Sequence, residues 1–259
     1  MPDVQRGIDY QIYVSLPASY ADNPARRYPV VYVTDADYGF PMIRLIGRRI
    51  NGARPRVEEF ILVGLSYEKE QDSMASRRRD YTPTLRGASD APPNARHGES
   101  LAYRDYIRDR VIPFVEKKWR TQPGRRIYVG HSYGGLLGAQ ILLTQPGMFD
   151  GYVLGSPSFW FDKQHLLKAA PPMLDKLQDI DARVYMYVGE FEARRVGDPR
   201  YQQEVDMVAD NRTFAGLLRA RNFAGLELAD DVLPDEDHMS VAPRGFTKGL
   251  LHVLPAQAD

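Results

Sequence analysis

A chain of 259 residues with 43% apolar and 26% charged content has the composition of an ordinary soluble globular protein, long enough to bury a large core. Its 34 basic residues balance its 34 acidic ones, so no overall field draws it to nucleic acid or to an anionic membrane surface. Cysteine is absent, which excludes disulfides, thiolate metal centres and a cysteine nucleophile.

The first twenty or so residues are polar and alternating, without the basic-then-apolar pattern of a secretory signal. The chain as given is therefore expected to be cytoplasmic, or periplasmic if a leader was removed. No run approaches the ~20 apolar residues that cross a bilayer. Residues 8–16 alternate and are expected to form an edge or antiparallel strand. The short apolar runs 28–34, 60–66, 127–130, 152–155 and 184–188 suit central strands covered on both faces. Residues 226–233, despite their acids, make a candidate last strand.

Between these runs, residues 100–118 carry Tyr103, Ile107, Val111, Phe114 and Val115 at helical spacing, with Pro113 expected to kink or end the helix. Residues 136–143 are apolar nearly all round, which predicts a helix buried against the sheet. Residues 201–221 and 241–254 are amphipathic helices. Residues 69–98 hold a run of three arginines with Pro83, Pro92 and Pro93, and are expected to form a long surface loop. No repeat or linker interrupts the pattern. The expectation is one domain over residues 1–259, an α/β fold with a mainly parallel sheet.

The most informative segment runs from an apolar strand into Gly130-His131-Ser132-Tyr133-Gly134-Gly135 and then into a helix. This is G-x-S-x-G in the strand–turn–helix context where the pattern has a mechanical meaning: small residues two before and two after the serine let the chain double back and expose its hydroxyl. The Tyr133 N–H, near the helix N-terminus, is placed to hold a developing oxyanion. A phosphate-binding loop does not fit, since no Lys-Ser or Lys-Thr pair follows and no G-x-G-x-x-G is formed.

A serine nucleophile needs a base, and the chain has five histidines. His131 adjoins the serine on the turn and is expected to point away from it. His97 lies in the long loop, His165 on a helix, and His252 late in a helix that looks like packing. His238 follows the last candidate strand and precedes the last helix, which suits the order serine, acid, histidine. The acid should follow an inner strand between them, where residues 184–188 lead into Gly189-Glu190-Phe191-Glu192. Either Glu192 or Glu190 could orient His238. Asp235 and Asp237 are too near His238 on one loop to align its ring. No metal or organic cofactor is implied by any ligand spacing.

Several separate segments together resemble the esterase-D-type α/β-hydrolases, and within them the branch of enterochelin and salmochelin siderophore esterases. These are residues 28–37 (Tyr-Pro-Val-Val-Tyr-Val-Thr-Asp-Ala-Asp), residues 61–65, Arg79-Asp80-Tyr81-Thr82-Pro83, Gly155-Ser156-Pro157-Ser158-Phe159-Trp160 and the segment from His238 to Pro243. The resemblance spans nearly the whole chain. It implies an α/β-hydrolase fold with helices on both faces of the sheet, Ser132 as nucleophile, His238 as base and Glu192 as acid. It also implies a second oxyanion donor among the backbone N–H groups of Asp35-Ala36-Asp37, either Asp37 or Ala36. The activity implied is cleavage of carboxylic esters through an acyl-enzyme, acting on a small-molecule ester. The alternatives are acyl transfer to an alcohol, as in mycolyl-transferring relatives of the fold, and a binding module that kept the fold. Arg79, with Arg77 beside it, is expected to face an anionic or catechol-bearing ester, with Tyr38 or Trp160 as an aromatic wall.

Overall fold

A computed structural model describes residues 1–87 and 91–256. Its frame is an eight-stranded sheet: β1 (Pro2–Asp3), β2 (Ile8–Ser15), β3 (Tyr28–Val33), β4 (Ile61–Glu68), β5 (Thr121–His131), β6 (Gly151–Gly155), β7 (Ala182–Gly189) and β8 (Leu226–Leu233). The strands lie in the order β1-β2-β4-β3-β5-β6-β7-β8. β1 and β2 pair antiparallel, and all pairings from β4 to β8 are parallel.

The continuous apolar runs follow from burial on both faces. Val30, Tyr32, Ile61, Val63, Leu65 and Tyr128 enter one core, whereas their neighbours Val31, Val33, Leu62, Ile127 and Val129 enter the other. Side chains alternate along a strand, so a strand sandwiched between helices needs apolar residues at every position.

The helices are α1 (Gly39–Ile50), α2 (Ser73–Tyr81), α3 (Ser100–Tyr106), α4 (Ile112–Lys118), α5 (Tyr133–Thr144), α6 (Phe161–Leu174), α7 (Met207–Arg219) and α8 (Ala242–Val253). α1 and α8 cover one face of the sheet, through Ile43, Phe246, Leu250 and Val253. Leu136 and Leu137 of α5, Leu166 of α6 and Phe214 of α7 cover the other.

Two expectations are corrected and one is sharpened. The stretch 69–98 is not loop throughout: α2 occupies Ser73–Tyr81, and Asp72 caps it by accepting the Ala75 N–H at 2.9 Å. Residues 88–90 of that stretch lie outside the described residues. Pro113 does not end the helical run but stands where its α-helical register is broken: a π-helical turn over Ile107–Val111 joins α3 to α4 immediately before it, and proline, with no N–H to donate, sits in the first turn of α4. The helix expected over 201–221 begins only at Met207, where the Asp206 carboxylate accepts the Ala209 N–H.

Candidate active site

β5 delivers Ser132 to a turn between strand and helix with φ 60° and ψ −121°, a left-handed conformation that a serine holds only when its surroundings enforce it. A Cβ at Gly130 would lie 2.4 Å from the carbonyl oxygen of Gly134, and one at Gly134 would lie 2.3 Å from Thr34 Oγ1. Gly130 is therefore required by the doubling back of the chain, and Gly134 by the close approach of the loop after β3. The Ser132 N–H bonds the Gly155 carbonyl at 2.9 Å, tying the elbow to the end of β6. The Ser132 hydroxyl lies 3.3 Å from Ser158 Oγ; among the described residues it makes no hydrogen bond to the His238 ring. Such contacts commonly tighten only when substrate is bound.

The end of β7 carries the carboxylate. Glu192 is fully buried, and its Oε1 accepts from Ser156 Oγ at 2.5 Å and from the Gly189 N–H at 2.8 Å. Its Oε2 lies 2.6 Å from His238 Nδ1. With Nδ1–H donating to a carboxylate, Nε2 of His238 is left with its lone pair. Glu190 goes elsewhere: it accepts from the Asp235 N–H at 3.1 Å and the Tyr201 hydroxyl at 3.0 Å. These bonds hold its carboxyl below the usual range.

His131 makes no hydrogen bond to the Ser132 hydroxyl among the described residues. It turns inward, with its ring centroid 4.7 Å from that of His238 and its Nε2 2.9 Å from the His238 carbonyl oxygen. Burial, reinforced by the neighbouring His238, pushes its pKa down to about 3. Of the other histidines, His97 is buried beside Phe161, His165 is exposed, and His252 faces the Glu227 carbonyl at 3.4 Å.

The loop after β3 lies against the elbow, as the approach of Thr34 to Gly134 shows. Asp35, buried and at φ 50°, receives Arg77 at both oxygens, Nε to Oδ1 at 3.0 Å and Nη2 to Oδ2 at 3.1 Å. Tyr67 donates to Oδ1 at 2.9 Å and Tyr38 to Oδ2 at 3.4 Å. Burial raises the Asp35 carboxyl above the ordinary carboxylate range, and the Arg77 guanidinium opposes that shift. The carbonyl of Asp35 accepts from Tyr38 and Gly39. The N–H groups of Ala36 and Asp37 donate to no acceptor among the described residues, and the Tyr133 N–H begins α5.

The expected substrate residues separate. Arg77 lies 5.3 Å from the centroid of the Tyr133 ring, and Trp160 lies 6.0 Å from the same ring. Tyr38 joins this group through Asp35. Arg79 does not: its guanidinium is buried in a cluster away from the elbow, bonded to Asp80 at 2.9 and 2.8 Å, to Glu68 and to the Tyr10 hydroxyl at 3.1 Å. The helix explains the difference, because residues two apart on a helix face different ways. Arg79 ties α2 to β2 and β4.

Sequence reasoning did not single out Ser156, Ser158, Asp35 or Tyr67 as site residues. Ser156 and Ser158 stand in the Gly155–Trp160 motif, which was the available signal; the Asp35–Tyr67 contact had none. A groove of about 740 Å³, bordered by Arg44, Arg48, Val57 and Phe60, lies at the opposite ends of the strands, near the starts of β3 and β4. It borders none of the residues just described. Ligands of open α/β sheets bind at the carboxyl ends of the strands, where Ser132, Glu192 and the Asp35 loop all sit.

A mostly parallel sheet with a strained serine between strand and helix, and a histidine held by a buried carboxylate, defines an α/β-hydrolase. The family described as "Putative esterase" matches residues 5–226, and the chain belongs to it; His238 lies beyond the end of that match. The chain is 32% identical over 257 residues to the ferri-bacillibactin esterase BesA of Bacillus subtilis, covering 95% of this chain and 84% of the relative. Among solved structures it is similar to a BES protein from Bacillus cereus, with a TM-score of 0.81 and 26% identity over 99% of this chain and 94% of that one. An IroE-like serine hydrolase from Shewanella oneidensis aligns with a TM-score of 0.77 and 27% identity, covering 94% of this chain and 79% of that one. The chain falls in the siderophore-esterase-like branch of its family, and ester hydrolysis is the activity that membership carries.

Proposed function

We propose that the protein cleaves an ester bond of a siderophore through an acyl-enzyme on Ser132. Ser132 Oγ attacks the ester carbonyl carbon while His238 Nε2 takes its proton. Glu192, bonded to Nδ1, holds the imidazole in the required tautomer and stabilises the imidazolium that forms. The oxyanion is met by the Tyr133 N–H and by an N–H of the Ala36–Asp37 turn. The C–O bond breaks, His238 returns the proton to the departing alkoxide, and water repeats the sequence to release the acid and regenerate Ser132.

The observation that carries this reading is the 2.6 Å contact between His238 Nδ1 and the buried Glu192 carboxylate, which is built for a base rather than for a surface histidine. The identity with a relative named as a ferri-bacillibactin esterase supports the substrate class. Tyr38, Trp160 and Tyr133 offer an aromatic wall suited to an aromatic ester, with the Arg77 guanidinium, paired to Asp35, against the Tyr133 ring. The test is incubation of the purified protein with ferri-bacillibactin and with p-nitrophenyl acetate, with product masses followed. Wild type should add one water per ester cleaved and prefer the siderophore in kcat/KM, and Ser132→Ala should leave both substrates intact. Release of product by Ser132→Ala at the wild-type rate would remove Ser132 from the mechanism.

A further inference from the structure

His131 has no part in the proton transfers above, yet both of its ring nitrogens are committed. Nε2 faces the His238 carbonyl oxygen at 2.9 Å, and a carbonyl only accepts, so Nε2 carries the proton. Nδ1 is then an acceptor, and the Tyr187 hydroxyl lies 3.3 Å from it and donates. The neutral tautomer with its proton on Nε2 satisfies both contacts, whereas the other loses the bond to the carbonyl. With its pKa down at about 3, the ring stays in that neutral form at any pH where ester hydrolysis is measured.

The surroundings reserve room for this chain of bonds. A Cβ at Gly155 would lie 2.1 Å from the Tyr187 hydroxyl, and one at Gly245 would lie 2.3 Å from its ring. Glycine at both places lets Tyr187 pass between β6 and α8 to reach His131. The His238 loop needs such an anchor, since Pro234, Asp235, Asp237, Met239 and Ser240 are all exposed. Its other backbone groups are tied at Pro234, through Arg244, at Asp235, through Glu190, at Glu236, through the Phe191 N–H, and at Asp237, through the Val241 N–H. Among the described residues no backbone N–H reaches the carbonyl of His238 itself.

We infer that His131 is a positioning residue for the base: by donating from Nε2 to the His238 carbonyl, with Tyr187 fixing its tautomer, it sets where the His238 imidazole stands relative to Ser132. This rests on His238 being the base, as proposed above. A displacement of about 1 Å at a reacting group costs up to about a hundredfold in rate, so loss of the anchor should show in kcat and not in KM.

The test compares three variants of the full chain. His131→Phe keeps a ring but cannot donate, His131→Gln keeps a donor at the reach of Nε2, and Tyr187→Phe releases the tautomer. His131→Phe should lower kcat by about 10- to 100-fold with KM within about twofold, and should slow fluorophosphonate labelling of Ser132 in proportion. His131→Gln should recover kcat to within about fivefold of wild type, and Tyr187→Phe should lower it by about three- to tenfold. The downfield proton resonance of His238 Nδ1–H should broaden or shift in His131→Phe and persist in His131→Gln. Should His131→Phe not fold, the fall in Tyr187→Phe and the recovery in His131→Gln decide. Wild-type kcat in Tyr187→Phe and in any folded His131→Phe overturns the inference, as does a folded His131→Gln with less than about a tenth of wild-type kcat. Labelling of the wild-type protein separates the two levels: if Ser132 is not labelled there, the parent mechanism fails, and if it is labelled while the variants turn over normally, only the role of His131 fails.

Discussion

Glu190 and Glu192 leave the same strand two residues apart and meet different surroundings. Because Ser156 and Gly189 both donate to Oε1 of Glu192, a glutamine there would turn its amide oxygen toward them and its NH2 toward His238. Two donors would then face each other, and the imidazole would adopt the tautomer with its proton on Nε2, unable to accept from Ser132. Glu192→Gln should therefore lower kcat by on the order of 10²–10⁴. Glu190→Gln should change it by less than about threefold, because among the described residues that carboxylate bonds the Asp235 N–H and the Tyr201 hydroxyl and not the His238 ring. Steady-state kinetics of the two variants decides, and equal small effects would point to a serine–histidine dyad. Chain order and motif context pointed to Ser132 and His238 and left Glu190 and Glu192 open as the acid, a choice that only the family resemblance made. They could not reveal His131 or Asp35, whose roles rest on contacts across 107 residues to His238 and across 42 residues to Arg77.

At the scale of single elements, the two glycines that flank Ser132 are not ordinary turn residues. A methyl at Gly130 meets backbone, the Gly134 carbonyl at 2.4 Å, which no rotamer change relieves. Gly130→Ala should reopen the elbow, costing about 1–3 kcal/mol of stability and most of the activity. Gly216 is the counterpart: it is exposed in α7 with nothing within 4 Å of an added Cβ. Gly216→Ala should stabilise by about 0.5–1 kcal/mol through the helix preference of alanine, with activity unchanged. Urea midpoints of both variants check the pair, and destabilisation by Gly216→Ala would contradict the packing described for α7. The central strands β3 to β7 were legible because their short apolar runs, buried on both faces, end at turn residues. α2 was not, since its buried charges, Arg79 and Asp80, are solvated-looking in sequence and are stabilised by Arg6, Tyr10 and Glu68 from elsewhere in the chain.

For the molecule as a whole, the apolar runs announce how many central strands there are but not their order, which is set by which helix packs on which face. The same burial couples the active site to global stability. His131 titrates near 6.5 when unfolded and at about 3 when folded. Between those values the unfolded chain binds the extra proton, so this group's contribution is complete above pH ~6.5 and is lost as pH falls toward 3, at about 1.4 kcal/mol per pH unit. The His238 ring and the Tyr187 hydroxyl pack against it, and the charge of Arg77 opposes its protonation further. Urea unfolding at pH 7 and pH 5 should show a larger loss for wild type than for His131→Gln. Parallel losses in the two proteins would mean that His131 is protonated in the fold.

The most direct measurement is the mass and site of modification by a fluorophosphonate, read together with residual activity. The mechanism requires one adduct per chain, mapped to Ser132, with esterase activity falling in step with its formation, and no adduct in Ser132→Ala or at a comparable rate in His238→Ala. Full esterase activity in protein stoichiometrically modified at Ser132, or inactivating modification at another residue, would contradict it.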